Sequence, residues 1–374
     1  MEIMSIQYRW VASCCGVAMA MLVPWKMLEW AWFKPKRLEK YLRQQGLNGT
    51  SYKPLFGDTK AIMTATQLQP MNLSDDIMPR VMPFVHTAIQ TYAKYSSYRF
   101  FPSTRNKRME QIDHEVRELI RRMIDDRTIA MEAGETSHDD LLGILLQSNY
   151  DEIQKTGNER FGMSIDDIIE ECKLFYFAGH ETVANLLVWT MVLLSRYPQW
   201  QELARDEVFE VFGNDNPDLD RLSRLKTVNM ILLEVLRLYP GVSALYRMCT
   251  KQNKVAGINL PEGTLVIMPI LALHHDQETW GDDATEFNPQ RFSNGVAKAT
   301  SGGQVSYFPF GGGPRICIGQ NFAMLEAKIA IVMILQRFSF VLSPAYAHAP
   351  QSIITLQPQF GAHLILRKVK DSRP

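Results

Sequence analysis

The chain has 374 residues, with 40 basic and 40 acidic side chains and no formal net charge. Hydrophobic content of 46% and charged content of 21% are globular values that exclude wholesale disorder, and the missing basic excess argues against a general nucleic-acid binder. Five cysteines (Cys14, Cys15, Cys172, Cys249 and Cys317) are too few and too scattered for a disulfide framework, and a chain this long needs none for its core.

The first element is apolar. Trp10 to Trp25 (WVASCCGVAMAMLVPW) runs sixteen positions without a charge, and a basic cluster follows at Lys34, Lys36, Arg37 and Lys40. A spanning helix wants about 20 apolar residues, a length reached if Lys26 snorkels and Trp30 and Trp32 sit in the interface. The run reads as an uncleaved, single-pass membrane anchor over residues 1–33. The basic cluster then keeps residues 34–374 on the cytoplasmic side. A cleaved signal peptide is the alternative, set against a weak n-region (Glu2, Arg9) and no small-x-small site before the cluster. With the body cytoplasmic, the sequons Asn48-Gly-Thr50 and Asn72-Leu-Ser74 never meet the glycosylation machinery.

Helix dominates the body. A charged helix is expected over Met109 to Ala133, ending near Gly134. Ser164-Ile-Asp-Asp167 resembles a capping box that opens a long helix, stopped by Pro198. Its middle, Leu174 to Leu194, is apolar all round, which predicts burial. Pro198 to Phe212 and Leu225 to Tyr239 read as further helices, ended by Gly213 and Pro240. Lys254 to Pro269 reads as a hairpin with Pro261-Glu-Gly263 at its centre. Leu273 to Gly303 is loop-rich, and Ile318 to Phe338 is another apolar helix. Ile353 to Val369 reads as a hairpin turning near Gln357-Pro-Gln359. The fold class is mainly α with small β sheets.

The segment Phe308-Pro-Phe-Gly-Gly-Gly-Pro-Arg-Ile-Cys-Ile-Gly319 carries the most chemistry. Three consecutive glycines let the backbone approach a partner closely. Cys317 follows just before a helix, where free N–H groups and the dipole favour a thiolate, and Arg315 adds a cation two residues away. Such a cysteine serves as a nucleophile, a redox thiol, a metal ligand or an inert core residue. A nucleophile needs a base, and no His lies near in sequence. No C-x-x-C is formed, so a zinc knuckle or dithiol couple is unsupported. An axial haem thiolate suits a lone Cys in a Gly-rich loop.

Phe310-x-x-Gly313-x-Arg315-x-Cys317-x-Gly319 resembles the haem-binding signature of the cytochrome P-450 monooxygenases. The resemblance implies the P-450 fold and haem b, with Cys317 ligating the iron. It also implies Arg315 on a haem propionate and Phe310 packed near the sulfur. Glu234-Val-Leu-Arg237 places an acid and a base three apart on one helix face. By itself this spacing is uninformative, since Glu118–Arg121 and Glu202–Arg205 share it and read as solvated surface pairs. Glu234 differs in lying among Met230 to Leu233 and Val235-Leu236. Asn288-Pro-Gln-Arg291-Phe292 matches the family's P-x-R-F segment, so Glu234, Arg237 and Arg291 read as a structural triad rather than as catalysts.

Ala178-Gly179-His180-Glu181-Thr182 lies midway along the long helix. Its plain reading is a packing gap with a Thr back-bond. It also resembles the family's A-G-x-E-T element, which implies an oxygen-binding groove at Ala178 and Gly179. Glu181 and Thr182 are then the acid–alcohol pair that delivers protons. Arg247, ten residues after Arg237, lies where the family places a second propionate partner. His274-His-Asp and Trp280-Gly281 precede the P-x-R-F element in the family's order. Glu171 to Gly179 and Leu356 to His363 look like the plant branch that includes secologanin synthase.

The resemblance covers about 25–92 and 98–374, and the chain is over a hundred residues shorter than members of that branch. The seam falls near Tyr92-Ala-Lys-Tyr95. The family's W-x-x-x-R helix is absent, because none of the seven tryptophans has an Arg four positions on. The chain reads as an internally truncated member. With no G-x-G-x-x-G and no G-x-x-x-x-G-K-[ST], it carries no recognisable nicotinamide site. Electrons are expected from a membrane-bound NADPH reductase. The implied activity is insertion of one oxygen atom of O2 into a small lipophilic, terpenoid-like metabolite at the endoplasmic reticulum membrane. The alternative is a truncated, non-catalytic, membrane-anchored relative or an unstable splice or gene-model product.

Overall fold

In the computed structural model, residues 25–26, 29, 33–45, 104–134, 140–157, 162–300 and 305–369 are described. Residues 1–24 of the expected anchor, both sequons and the seam at Tyr92 lie outside them. The chain divides into two compact units, Met1–Leu68 with Tyr246–Ile267, and Gln69–Leu245 with Met268–Pro374.

In the first unit, helix α1 (Lys34–Gln44) is followed by Gln45, whose side-chain amide pairs with a peptide of the second segment. It donates to Asn259 O (3.1 Å) and accepts from Asn259 N (2.9 Å).

The second unit opens with α2 (Thr104–Glu132), which starts five residues before the expected Met109, and α3 (Leu141–Thr156). Helix α4 (Ile165–Arg196) follows. Its capping box is the one anticipated: Asp167 N donates to Ser164 Oγ (3.2 Å), and Ser164 N donates to Asp167 Oδ2 (3.0 Å). Pro198 occupies the first turn of α5 (Pro198–Phe212), where its missing N–H costs nothing. After a single turn, α6 (Leu219–Leu222), comes α7 (Lys226–Leu238). Leu225 offers α7 no side-chain cap. Instead Glu207 of α5 accepts three orphan amides, Lys226, Thr227 and Val228, at 2.8, 2.7 and 2.9 Å.

Strands β1 (Leu245–Met248), β2 (Asn253–Val255), β3 (Ile258–Leu260) and β4 (Leu265–Met268) form two small sheets, β1–β4 and β2–β3. The expected hairpin is therefore displaced. Its turn is Ala256-Gly257, both at positive φ (47° and 84°), which suits a two-residue turn between antiparallel strands. Pro261-Glu-Gly263 instead carries the chain from one sheet to the other.

The loop-rich region holds short turns only: α8 (Ile270–His274), α9 (Gln277–Trp280) and 3-10 turns at Pro289–Phe292 and Val296–Lys298. After another at Gly313–Arg315, α10 (Gln320–Arg337) runs directly into β5 (Phe338–Leu342). The tail differs from the single hairpin expected. β6 (Pro350–Ser352) pairs with β7 (Leu356–Pro358) across residues 353–355, and β8 (Leu364–Lys368) returns to pair antiparallel with β5. An alternating strand does not name its partner, and here the partner is more than twenty residues upstream.

The core gathers α4, α5, α7 and α10 around Trp189, which is fully buried. Trp189 stacks on Tyr239 at 4.2 Å and donates its indole N–H to Leu356 O at 2.8 Å. Ile168 and Ile169 are buried near the start of α4, and within the stretch from Leu174 onward burial begins at Val183. Leu174, Phe175, Tyr176 (74% exposed) and Phe177 are open, which corrects the expectation that α4 is buried from Leu174. An all-apolar helix face announces a partner without supplying one. Among the described residues α5, α7, α10 and β5 cover its C-terminal half, while α2 packs against its N-terminal end.

Candidate active site

The site is built outward from α7. Glu234 and Arg237 are both fully buried. Arg237 meets the carboxylate with two parallel bonds, Nε to Oε2 and Nη2 to Oε1, both 2.8 Å. Its remaining donors reach backbone carbonyls of His274 (2.7 Å), Ala284 and Glu286 (3.1 Å). Glu234 Oε1 also accepts the Asn288 amide at 2.9 Å. A buried ion pair survives only with such full satisfaction.

Arg291 completes the group differently from a simple triad. Its Nε stands 3.7 Å from Glu234 Oε1, too far for a hydrogen bond. Its strong contacts are Asp283 Oδ2 (2.8 Å) and Trp280 O (2.9 Å). Burial would raise the Asp283 pKa, but Asn288 and Arg291 outweigh it and hold the carboxyl below its ordinary value. Glu234 and Arg237 thus pair directly, Arg291 stands beside them without a hydrogen bond to Glu234, and Asp283 is its ion-pair partner. The other two E-x-x-R spacings do not form pairs. Arg121 reaches Asp166, and Arg205 is buried and donates to Leu335 O and Phe338 O.

His274 ties this group to the cysteine loop. Its Nδ1 donates to Arg237 O (3.2 Å) and its Nε2 accepts from Phe308 N (2.9 Å). Burial first, then the Arg237 charge, lowers its pKa to about 3, so the ring is neutral. Tyr307 stacks on the imidazole at 5.4 Å and donates its hydroxyl to Leu233 O at 2.8 Å. Arg237 lies over the Trp280 ring at 5.1 Å. Sequence reading used His274 only as a marker of order; its tie to the loop is a long-range contact that no local pattern announces.

The loop after Phe308 is stapled by its own backbone. Gly311 N donates to Phe308 O (3.0 Å), Ile316 N to Gly313 O (3.1 Å) and Cys317 N to Phe310 O (2.9 Å). Gly311 and Gly313 take positive φ, 73° and 68°, which is why glycine stands at both. Phe310 is half-buried against the main core. Gly319 caps α10 by accepting Ala323 N at 2.8 Å. Arg315, Cys317 and Ile318 (90%) are exposed. Arg247, in the first unit, is exposed on β1, with its guanidinium on Tyr246 O.

On α4, Ala178 is exposed, and a side chain built at Gly179 would meet nothing. Thr182 Oγ1 donates to Ala178 O at 2.7 Å, the anticipated back-bond. Glu181 turns elsewhere: its Oε1 accepts from Thr355 Oγ1 (2.8 Å) and Asn185 Nδ2 (3.1 Å). Acid and alcohol are adjacent in sequence but hold different partners. His180 stacks on Tyr176 at 5.7 Å. A side chain at Gly241 would lie 3.8 Å from Thr182 Cβ, so the segment after α7 passes beside the alcohol.

These features fit a large, flat, mostly apolar group with anionic edges. An exposed thiol sits in a glycine loop with open space at Gly313. Ile316, Ile318 and Phe322 are uncovered apolar neighbours, and Arg315 is an uncovered cation nearby.

A family model described as Cytochrome P-450 matches residues 65–360. Cytochrome P-450 CYP72A219 of Panax ginseng is 40% identical over 518 aligned residues, covering 98% of this chain and 100% of that protein. Secologanin synthase 1 of Catharanthus roseus is 36% identical, covering 94% and 97%. The 11-oxo-beta-amyrin 30-oxidase of Medicago truncatula is 56% identical over 268 residues, covering 71% of this chain and 51% of its own length. A solved cytochrome P-450 (CYP102L1) superposes with a TM-score of 0.62 at 28% identity, over 77% of this chain and 61% of that one. The 518-residue alignment is far longer than the 374 residues here, so over a hundred positions of the relative face a gap.

Proposed function

The chain belongs to the cytochrome P-450 family, and from that premise we propose that it oxidises a small lipophilic, terpenoid-like metabolite at a haem held by Cys317. As a member of the family it is a haem-thiolate monooxygenase of plant secondary metabolism, supplied with NADPH electrons through a partner reductase. Two of the relatives named above carry secologanin and beta-amyrin chemistry in their names, which motivates the terpenoid class. In this reading the reductase is membrane-bound. Residues 1–33 anchor the chain once in the endoplasmic reticulum membrane, and residues 34–374 form the haem domain on the cytoplasmic side.

One observation carries the proposal: a stapled glycine loop presents an exposed Cys317 thiol ahead of an 18-residue helix. Haem bound there supplies the iron at which dioxygen is reduced and split, a step that thiolate ligation favours. Arg315 would neutralise a carboxylate at the edge of the ring system, and Phe310 would pack near the sulfur. Ala178 and Gly179 leave the space that dioxygen needs. Glu181 and Thr182 hold and pass protons on that side. Glu234, Arg237 and Arg291 act through the loop and touch no reactant.

A second reading, an anchored relative without turnover, is favoured by the open apolar face at 174–177 and by the gap against longer relatives. Substrate pockets need walls on most sides. The test is reconstitution with an NADPH reductase under oxygen-18 gas, with 11-oxo-beta-amyrin and a panel of terpenoids as probes. One labelled oxygen atom in a product supports the proposal. No labelled product across the panel, with NADPH consumption no faster than the reductase alone, supports the second reading.

A further inference from the structure

We propose that Thr355 and Asn185 form a clamp on one oxygen of Glu181, which makes Thr355 a positioning residue for proton delivery. The inference rests on the reading of Glu181 as the proton-carrying acid. Thr355 lies 174 residues from Glu181 in sequence and carries no motif of its own.

The hydrogen bonds close a small ring. Thr355 Oγ1 donates to Glu181 Oε1 at 2.8 Å, and Asn185 Nδ2 donates to the same oxygen at 3.1 Å. Asn185 Nδ2 also reaches Thr355 Oγ1 at 2.9 Å and the Glu181 carbonyl at 2.9 Å, so one of its two protons is shared between two acceptors. Asn185 and Thr355 are both buried, and Asn185 stands four positions after Glu181 on the same helix face.

The chemistry of the donors decides what the ring does. A hydroxyl has one proton, and that of Thr355 is committed to Glu181. Behind it stands only an amide, whose N–H is not a transferable proton. Thr355 therefore holds the acid and does not feed it. Among the described residues Glu181 Oε2 accepts no hydrogen bond, so it is the oxygen left to take and give a proton.

The clamp is mounted on rigid parts. Thr355 sits in the turn between β6 and β7. The next residue, Leu356, donates its N–H to Gly241 O (3.1 Å) and accepts the Trp189 indole N–H (2.8 Å). The turn is thus fastened to α4 and to the segment after α7. Gly241 in turn passes beside Thr182, so the clamp and the alcohol share one support.

The test compares Thr355→Val, which deletes the hydroxyl and keeps the shape, with Thr355→Ser, which restores it. On the purified chain without haem, the Asn185 side-chain amide is followed by 15N NMR, assigned through Asn185→Asp. The clamp predicts displaced, faster-exchanging Asn185 signals in Thr355→Val and recovery in Thr355→Ser. In the haem-loaded protein it predicts a rise of about tenfold in peroxide released per product, against about a hundredfold in Glu181→Gln. Unchanged amide signals in Thr355→Val overturn the clamp. A raised ratio in Glu181→Gln beside an unchanged one in Thr355→Val overturns the positioning role alone. An unchanged ratio in Glu181→Gln overturns the proton-delivery reading and the positioning role with it. Thr355→Ala carries the same readings where Thr355→Val does not fold.

Discussion

His274 is held neutral by burial and by the Arg237 charge, with its pKa lowered from 6.5 to about 3. The unfolded chain therefore binds a proton near pH 6.5 that the folded chain refuses until about pH 3. The sign follows: stability falls as pH drops through that window, by roughly 1 kcal/mol per pH unit from this group. Urea midpoints between pH 7 and pH 4 should show the slope, and His274→Gln should flatten it. The same variant loses one link between α7 and Phe308, so its stability at pH 7 should drop by about 1–3 kcal/mol. Beside it, Arg237→Leu leaves the Glu234 carboxylate buried with Arg291 Nε, 3.7 Å away and not hydrogen-bonded to it, as its remaining opposite charge. A loss of about 3–5 kcal/mol in urea unfolding is expected. At this scale sequence reading went far with Glu234 and Arg237, because a charged pair inside an apolar helix face has to be satisfied. It missed His274, Asp283 and Thr355, whose roles come from contacts across long stretches of chain. It misread Arg205, since an exposed Glu202 three positions away disguised an arginine that serves buried carbonyls.

At the scale of elements, local chemistry set the helices and distant chemistry set the strands. Ser164→Ala removes the capping hydroxyl of α4 and should cost about 1 kcal/mol in thermal unfolding. Asp167→Ala should cost a similar amount, because the two side chains cap each other. That helix was legible to the residue: the box opens it, Pro198 closes it, and both signals are local. Helix α7 was legible in extent but not in its cap, which Glu207 supplies from α5. Both hairpins were misplaced. Pro261-Glu-Gly263 has the composition of a hairpin turn, yet Ala256-Gly257 takes that role. β8 pairs with β5 because five residues of β5, continuous with α10, stand beside it as a partner. Pairing is a property of two segments, and alternation within one says only which face is apolar.

At the scale of the molecule, the stapled loop around Cys317, the buried Glu234–Arg237 pair and the Ala178–Thr182 segment of α4 are all present. The relatives are longer by more than a hundred aligned positions, and α4 exposes Leu174, Phe175, Tyr176 and Phe177 ahead of Ala178. The truncation was legible from the W-x-x-x-R motif that this chain lacks. The exposure at 174–177 was not, because an all-apolar stretch looks buried until its neighbours are known. The central claim is that the retained half of the site suffices to hold haem through Cys317. The most direct measurement is haem titration of the purified full chain, followed by the absorption spectrum of its reduced, carbon-monoxide-bound form, for the wild type and Cys317→Ala. One haem per chain with the shifted band of a thiolate-ligated iron, lost in Cys317→Ala, is the predicted result. No haem uptake by the wild type, or the same band in Cys317→Ala, would contradict it.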